Sequence, residues 1–282
     1  MENVSYLNDF VSQYGDVFTT HVVPNLSAPD CFFLARVSQS MRKIIYPEYE
    51  KTKKFNEIYL VNSVSRLKWC ISKGLKVTRD FFDIIIDEGH EEVIFFLRNN
   101  DDFPEIQHDF IEFMELCARG GVQKVMKHEF AINSDIVSAL LIPKSSKNTN
   151  WEICNSPLYR RQFNILYQAA SQGHVEILKW LCPLFLEEKK TEADICMISE
   201  LCHEACYNWQ IESATYLLPL GAKKYIYTCY IAARDHNICM VKWLIQNDFP
   251  TDQDLIDQIC KNFMTEDPDY CIWIANKFKS NS

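Results

Sequence analysis

A recurring helix-turn-helix pattern constrains this chain more than any other feature of its sequence. The clearest copy is Tyr167-Gln-Ala-Ala-Ser-Gln-Gly-His-Val-Glu-Ile-Leu-Lys-Trp-Leu181. It returns as Tyr230-Ile-Ala-Ala-Arg-Asp-His-Asn-Ile-Cys-Met-Val-Lys-Trp-Leu244, where Ala232, Ala233, Lys242, Trp243 and Leu244 stand for Ala169, Ala170, Lys179, Trp180 and Leu181. Weaker copies run His203 to Leu217, Asp83 to Leu97 and Leu116 to Met126, with degenerate ones at Ser63 to Cys70 and Tyr270 to Phe278. The residues aligned with Val175 are Val64, Glu91, Val122, Ile211, Ile238 and Tyr270, so the unit returns at intervals of roughly 30 residues apart from one long gap. That gap holds the polar Ser145 to Pro157 stretch, which reads as an insertion over about residues 131–160 or as a decayed repeat.

Each copy states its own physics. A short apolar helix ends at a small residue, Gly173, Gly89 or Gly120, where the chain turns. A second helix follows, with Val175, Leu178 and Leu181 on one face and Ile177 and Trp180 widening it. Such a hairpin exposes too much apolar surface to stand alone, and stacking on the next copy buries it. With only 7 glycines in 282 residues, hairpin-rich strand architectures are disfavoured, and the pattern predicts an all-α solenoid of helical hairpins.

These residues resemble the ankyrin repeat family, whose pattern runs through Ala-Ala, Gly-His, a hydrophobic helix and a Gly-Ala loop. Gln168 to Leu181 and Leu218 to Ala222 match it best, and the likeness covers about residues 55–280. The threonine-proline-leucine-histidine start of the family pattern is missing from every copy. The Lys-Trp-Leu ending is similar to that of divergent repeats of algae, amoebae and large DNA viruses. The resemblance implies a non-enzymatic scaffold that binds other proteins, with residues 51–282 as the repeat array.

The first fifty residues differ. Ser27 and Asp30 form a helix start with Pro29 in the first turn, and Phe33, Val37, Met41 and Ile44 fall on one face of the helix that follows. Leu34-Ala-Arg-Val-Ser-Gln-Ser-Met-Arg42, with the Val17 to Leu26 segment before it, resembles an F-box. The usual opening Leu-Pro pair is absent, and Met41 stands where the family has tryptophan. The resemblance implies contact with the adaptor subunit of SCF ubiquitin ligases through Phe18, Val22, Val23, Leu26, Phe33, Val37 and Met41. The alternative is that residues 1–50 only cap the first repeat.

Charge and composition exclude several roles. The net charge of −9 disfavours nucleic acid, which needs clustered cations. No apolar run approaches the ~20 residues of a membrane helix, and Met1 to Phe10 carries Glu2 and Asp9 rather than a signal peptide. A cytoplasmic or nuclear location is therefore expected. The 12 cysteines contain no CxxC pair and read as small buried hydrophobes. Cys196, Cys202, His203 and Cys206 leave zinc as an alternative.

Catalytic patterns are weak. His203-Glu204-Ala205-Cys206-Tyr207 has tyrosine where a zinc protease has its second histidine, and Asp87, Glu88, Glu91 and Glu92 read as a solvated group of carboxylates. No glycine-rich phosphate loop and no serine elbow occur in the sequence. His90 and His174 occupy one slot, where a histidine serves the turn. No catalytic residue, metal or cofactor is expected. The recognition positions are expected just before each turn, where the copies differ: Glu88, Arg119, Gln172, Asn208 and Asp235, with Asp87, Ser171, Tyr207 and Arg234 one step earlier. Together they are expected to line a concave surface.

Overall fold

In a computed structural model, residues 61–72, 74–140, 157–186 and 190–279 are described, and all regular structure among them is helical. The F-box-like residues Phe18, Val22, Val23, Leu26, Phe33, Val37 and Met41 lie outside the described residues. The chain divides into two compact units. One takes in Met1–Ile85 and Glu92–Ile106, the other Ile86–Glu91 and Gln107–Ser282.

In the first unit lie α1 (Val64–Ser72), most of α2 (Arg79–Asp87) and nearly all of α3 (Glu91–Arg98). Their apolar faces supply Leu67, Phe82, Ile85, Val93, Ile94 and Leu97, all fully buried, with Ile106 of a short 3-10 turn. The spacing of Phe82 and Ile85 on α2, and of Val93, Ile94 and Leu97 on α3, is the i, i+3, i+4 stripe of a helix with one buried side. Lys68 holds its ammonium 4.8 Å from the centre of the Phe96 ring.

Among its described residues the second unit contains five helix pairs: α4 (Phe110–Arg119) with α5 (Gln123–Ile132), α7 (Pro157–Gln172) with α8 (Val175–Phe185), α9 (Glu192–Tyr207) with α10 (Ile211–Leu217), α11 (Ile226–Arg234) with α12 (Ile238–Gln246), and α13 (Gln253–Phe263) with α14 (Pro268–Lys279). A further helix, α6 (Ser134–Leu140), follows α5. The first helices pack on one another in chain order, α4 on α7, α7 on α9, α9 on α11 and α11 on α13. Among the second helices, α8 packs on α10. The Ala-Ala pairs make this close approach possible: Ala169, Ala170, Ala232 and Ala233 are at most 2% exposed. The buried stripe of α8 is Ile177, Leu178, Leu181 and Cys182, while Val175, expected on it, is only half-buried at the first position of the helix. Trp180 leans edge-on against Phe130, with ring centres 4.9 Å apart.

Side-chain caps fix where three of the first helices, α4, α9 and α13, begin. Asp109 accepts from the Glu112 amide at 2.9 Å and Asp252 from the Leu255 amide at 2.9 Å. Thr191 and Asp194 form a reciprocal capping box, with the Asp194 amide donating to the Thr191 hydroxyl oxygen and the Thr191 amide to the Asp194 carboxylate. Within the 131–160 span expected to hold an insertion or a decayed repeat, α6 occupies 134–140 and α7 begins at Pro157. No helix among the described residues is long and apolar enough to cross a membrane.

The turns of α2–α3 and of the pairs from α4–α5 to α11–α12 share one backbone conformation, while the α13–α14 turn lacks it. Gly89, Gly121, Gly173, Trp209 and His236 have φ of 74°, 72°, 82°, 64° and 56°. After the left-handed residue, the next amide reaches back five residues: Val122 to the Cys117 carbonyl, His174 to Ala169, Gln210 to Ala205 and Asn237 to Ala232, at 2.8 to 3.1 Å. This is the Schellman closure of a helix C-terminus. The left-handed position of the second turn is Gly121, not Gly120 as the sequence alignment expected. Gln123, not Val122, therefore matches Val175 as the first residue of its helix.

Candidate functional site

With the turns in register, the expected recognition residues fall into two positions. Directly before the left-handed residue stand Glu88, Gly120, Gln172, Asn208 and Asp235; one step earlier stand Asp87, Arg119, Ser171, Tyr207 and Arg234. Arg119 therefore belongs with Tyr207 and Arg234 rather than with Gln172. Glycine at 120 has a steric cause, since a Cβ there would lie 2.0 Å from the Ile86 carbonyl oxygen.

Glu88 and Gln172 are exposed. Asp87 and Arg119 are committed to each other: the Arg119 Nε donates to Asp87 Oδ1 at 2.7 Å and its second nitrogen to Oδ2 at 2.8 Å. Arg234 grips its neighbour Asp235 with a similar fork, at 2.8 and 3.4 Å. Asn208 is half-buried and donates to the Glu204 carbonyl and carboxylate, at 3.1 and 2.7 Å, so it serves the helix end. Ser171 is a correction. Its side chain is buried and its hydroxyl donates to the Gln168 carbonyl at 3.1 Å, because the first helices approach too closely there to leave a surface position.

The histidine slot works as the sequence suggested. The His174 Nε2 sits 2.8 Å from the Arg119 carbonyl oxygen, and its ring covers Gly121, where a Cβ would come within 2.5 Å of it. One turn later Gln210 takes the same slot and covers Gly173. These two turns are thereby keyed to the ones before them.

Half-buried and exposed rings across α7, α9 and α11 form an aromatic stretch. On α7, the Tyr167 ring packs with Phe163 at 5.7 Å. Burial, and then the Glu204 carboxylate it faces, push the Tyr167 hydroxyl up to about 12. On α9, Tyr207 is 46% exposed; on α11, Tyr227 is 60% exposed. Arg234 lies within electrostatic reach of both, and its own charge is reinforced first by Asp235. His203 is fixed between the helices, its Nδ1 2.9 Å from the Thr228 hydroxyl and its ring 5.8 Å from that of Tyr227. Tyr225 completes the group at the entry to α11.

An open hollow of about 580 Å³ is lined by Glu200, His203, Lys224, Tyr225, Tyr227 and Pro250. A second, of about 530 Å³, lies over Asp109, Phe110, Glu112, Glu115 and Arg161, where burial raises the Glu115 carboxyl and its bond from Asn164 opposes the rise. Sequence reasoning missed Tyr225, Tyr227 and the wall position of His203. The available signal was the Lys-Lys-Tyr-Ile-Tyr run, two aromatics two residues apart at a helix start, where apolar bulk is not required for the core.

Most of the described thiols are core groups, as expected, and Cys196 and Cys239 are not. Cys182 and Cys229 are buried, and burial pushes both up to about 12, far from a reactive thiolate. Cys202 and Cys206 share one face of α9 and are both buried, whereas Cys196 and Cys239 are exposed.

In comparisons with known proteins, no family model, curated protein or solved structure matches the chain.

Proposed function

We propose that this chain is a non-enzymatic scaffold of ankyrin-like helical hairpins that holds another protein on the exposed side of its first helices. The observation that supports the reading is the in-order packing of α4, α7, α9, α11 and α13, together with the exposure of Tyr207, Tyr227 and Arg234 on successive first helices and of half-buried Tyr167 beside them. Tyrosine and arginine dominate interface hot spots, because each brings large contact area together with a polar handle. An array stacked by neighbour contacts buries its core between repeats and keeps such a side for recognition. The partner is a protein rather than nucleic acid or membrane.

Capture from the native source by the full chain tests this. Partners held by the face should be lost from a Tyr207→Ala, Tyr227→Ala double variant and retained by Lys179→Ala, a change at an exposed position on α8. Equal capture by all three would refute the reading. The F-box resemblance of Leu34 to Arg42 supports a finer version, in which residues 1–50 couple the cargo to an SCF ubiquitin ligase. The other version has residues 1–50 as a cap alone. Retention of the SCF adaptor subunit by the intact chain, lost on deleting the first 45 residues, supports the coupled version; no retention supports the cap.

A further inference from the structure

We infer that the hollow between α9 and α11 takes an arginine side chain of the bound partner, an inference that rests on the scaffold reading and assigns it an anchor point. Three features of the hollow converge. Its aromatic side is presented to solvent: Tyr225 and Tyr227 are 36% and 60% exposed, although rings of this size are ordinarily drawn inward. It is held in place, since the His203 ring that backs Tyr227 is tied to the buried Thr228 hydroxyl. It carries a carboxylate with no ion pair among the described residues, Glu200, which is exposed one helical turn before His203.

A flat cation suits that combination. A guanidinium stacks on tyrosine faces and offers its edge to a carboxylate in a forked pair, and it sheds water more readily than an ammonium does. Charge complementarity argues the same way. The chain is acidic overall at −9, and the exposed residues of α9 include Glu192 and Glu200 but no lysine or arginine. Two nearby cations are already engaged, Arg234 by Asp235 and Lys242 by Asp267, whereas Lys223 is exposed with no ion pair among the described residues and does not line the hollow. Lys224 is the one opposing charge on the hollow. It is exposed, and its long stem lets the ammonium turn to water while the methylenes remain against the wall. Lys224 therefore weakens the site without closing it.

The test titrates the full-length chain, carrying ¹³C-labelled tyrosine rings, with N-acetyl-arginine amide, and with N-acetyl-leucine amide as the neutral probe. The arginine probe should move the ring resonances of Tyr225 and Tyr227, assigned by Tyr→Phe variants, at concentrations where the leucine probe does not. Glu200→Gln, which keeps the shape and removes the charge, should weaken the arginine probe about threefold, and Lys224→Gln should tighten it by about the same factor. Equal response to the leucine probe would mean an apolar occupant and overturn the inference, as would an unchanged affinity in Glu200→Gln. The two readings fail separately. If partner capture depends on Tyr207 while the arginine probe leaves Tyr225 and Tyr227 unmoved, the scaffold stands and the anchor falls. If the probe binds and no partner is captured, the scaffold falls.

Discussion

The turns at residues 89, 121 and 173 and those at 209 and 236 have the same backbone and different chemistry. In the first three the left-handed residue is glycine, which takes that conformation at no steric cost; in the last two it is Trp209 and His236. A side chain there costs about 1 to 2 kcal/mol. The later turns nonetheless close with the same five-residue reach, from Gln210 to Ala205 and from Asn237 to Ala232. The lesson is that the turn is imposed by the packing of the two helices it joins. Glycine eases it without being its cause, which explains why a repeat can lose the glycine and keep the geometry.

The comparison can be broken first at Gly120. Its Cβ would meet the Ile86 carbonyl oxygen and carbon at 2.0 and 2.7 Å, both backbone atoms that cannot step aside. Gly120→Ala should therefore destabilise the fold by about 3 kcal/mol, read as a lowered denaturation midpoint. An effect near zero would mean that the second turn does not pack on the first as described. Gly173→Ala should have a smaller effect, about 1 to 2 kcal/mol, because φ is +82° but the atom in the way is the end of the flexible Gln210 side chain.

Trp209→Gly should act in the opposite direction. Relief of the left-handed strain outweighs the added freedom of the unfolded chain by about 0.5 kcal/mol, and little packing is lost from a residue 55% exposed. His236→Gly should change stability by less than about 0.5 kcal/mol, since the ring it removes packs edge-on against buried Phe263 at 6.0 Å. A marked loss in both variants would show that these residues are held for packing and that turn strain is the lesser effect.

The smallest expected effects lie in the charges around the pairs. Arg119→Ala removes the fork to Asp87, which is more than a third exposed on both sides, and should cost at most about 1 kcal/mol, less in high salt. Asp252 is held below the usual carboxylate range by the Leu255 amide first and the Tyr230 hydroxyl second. Its folded pKa is lowered, so its contribution is complete above the unfolded value of about 3.9 and is lost as the pH falls through the folded one. Asp252→Ala should flatten the acid limb of the stability profile and leave the neutral region parallel to that of the parent chain, and it should flatten the alkaline limb as well, because the Asp252 carboxylate is the first cause that pushes the Tyr230 hydroxyl up to about 12.

The sequence by itself determined the helices and their pairing. An apolar stripe at helical spacing, an Ala-Ala pair and a small residue at the turn leave one economical arrangement, and these are local signals carried within some fifteen residues. It also placed His174 at a turn, because the slot recurs at His90. Tertiary structure alone decided which glycine of the Gly120-Gly121 pair is left-handed. Either could turn the chain, and the choice falls to the Ile86 backbone crowding one and the His174 ring covering the other. It likewise buried Ser171, and it brought His203 of α9 to Tyr227 of α11. Contacts of that kind depend on how closely two helices approach, a distance fixed by every side chain between them and written in no single stretch of sequence.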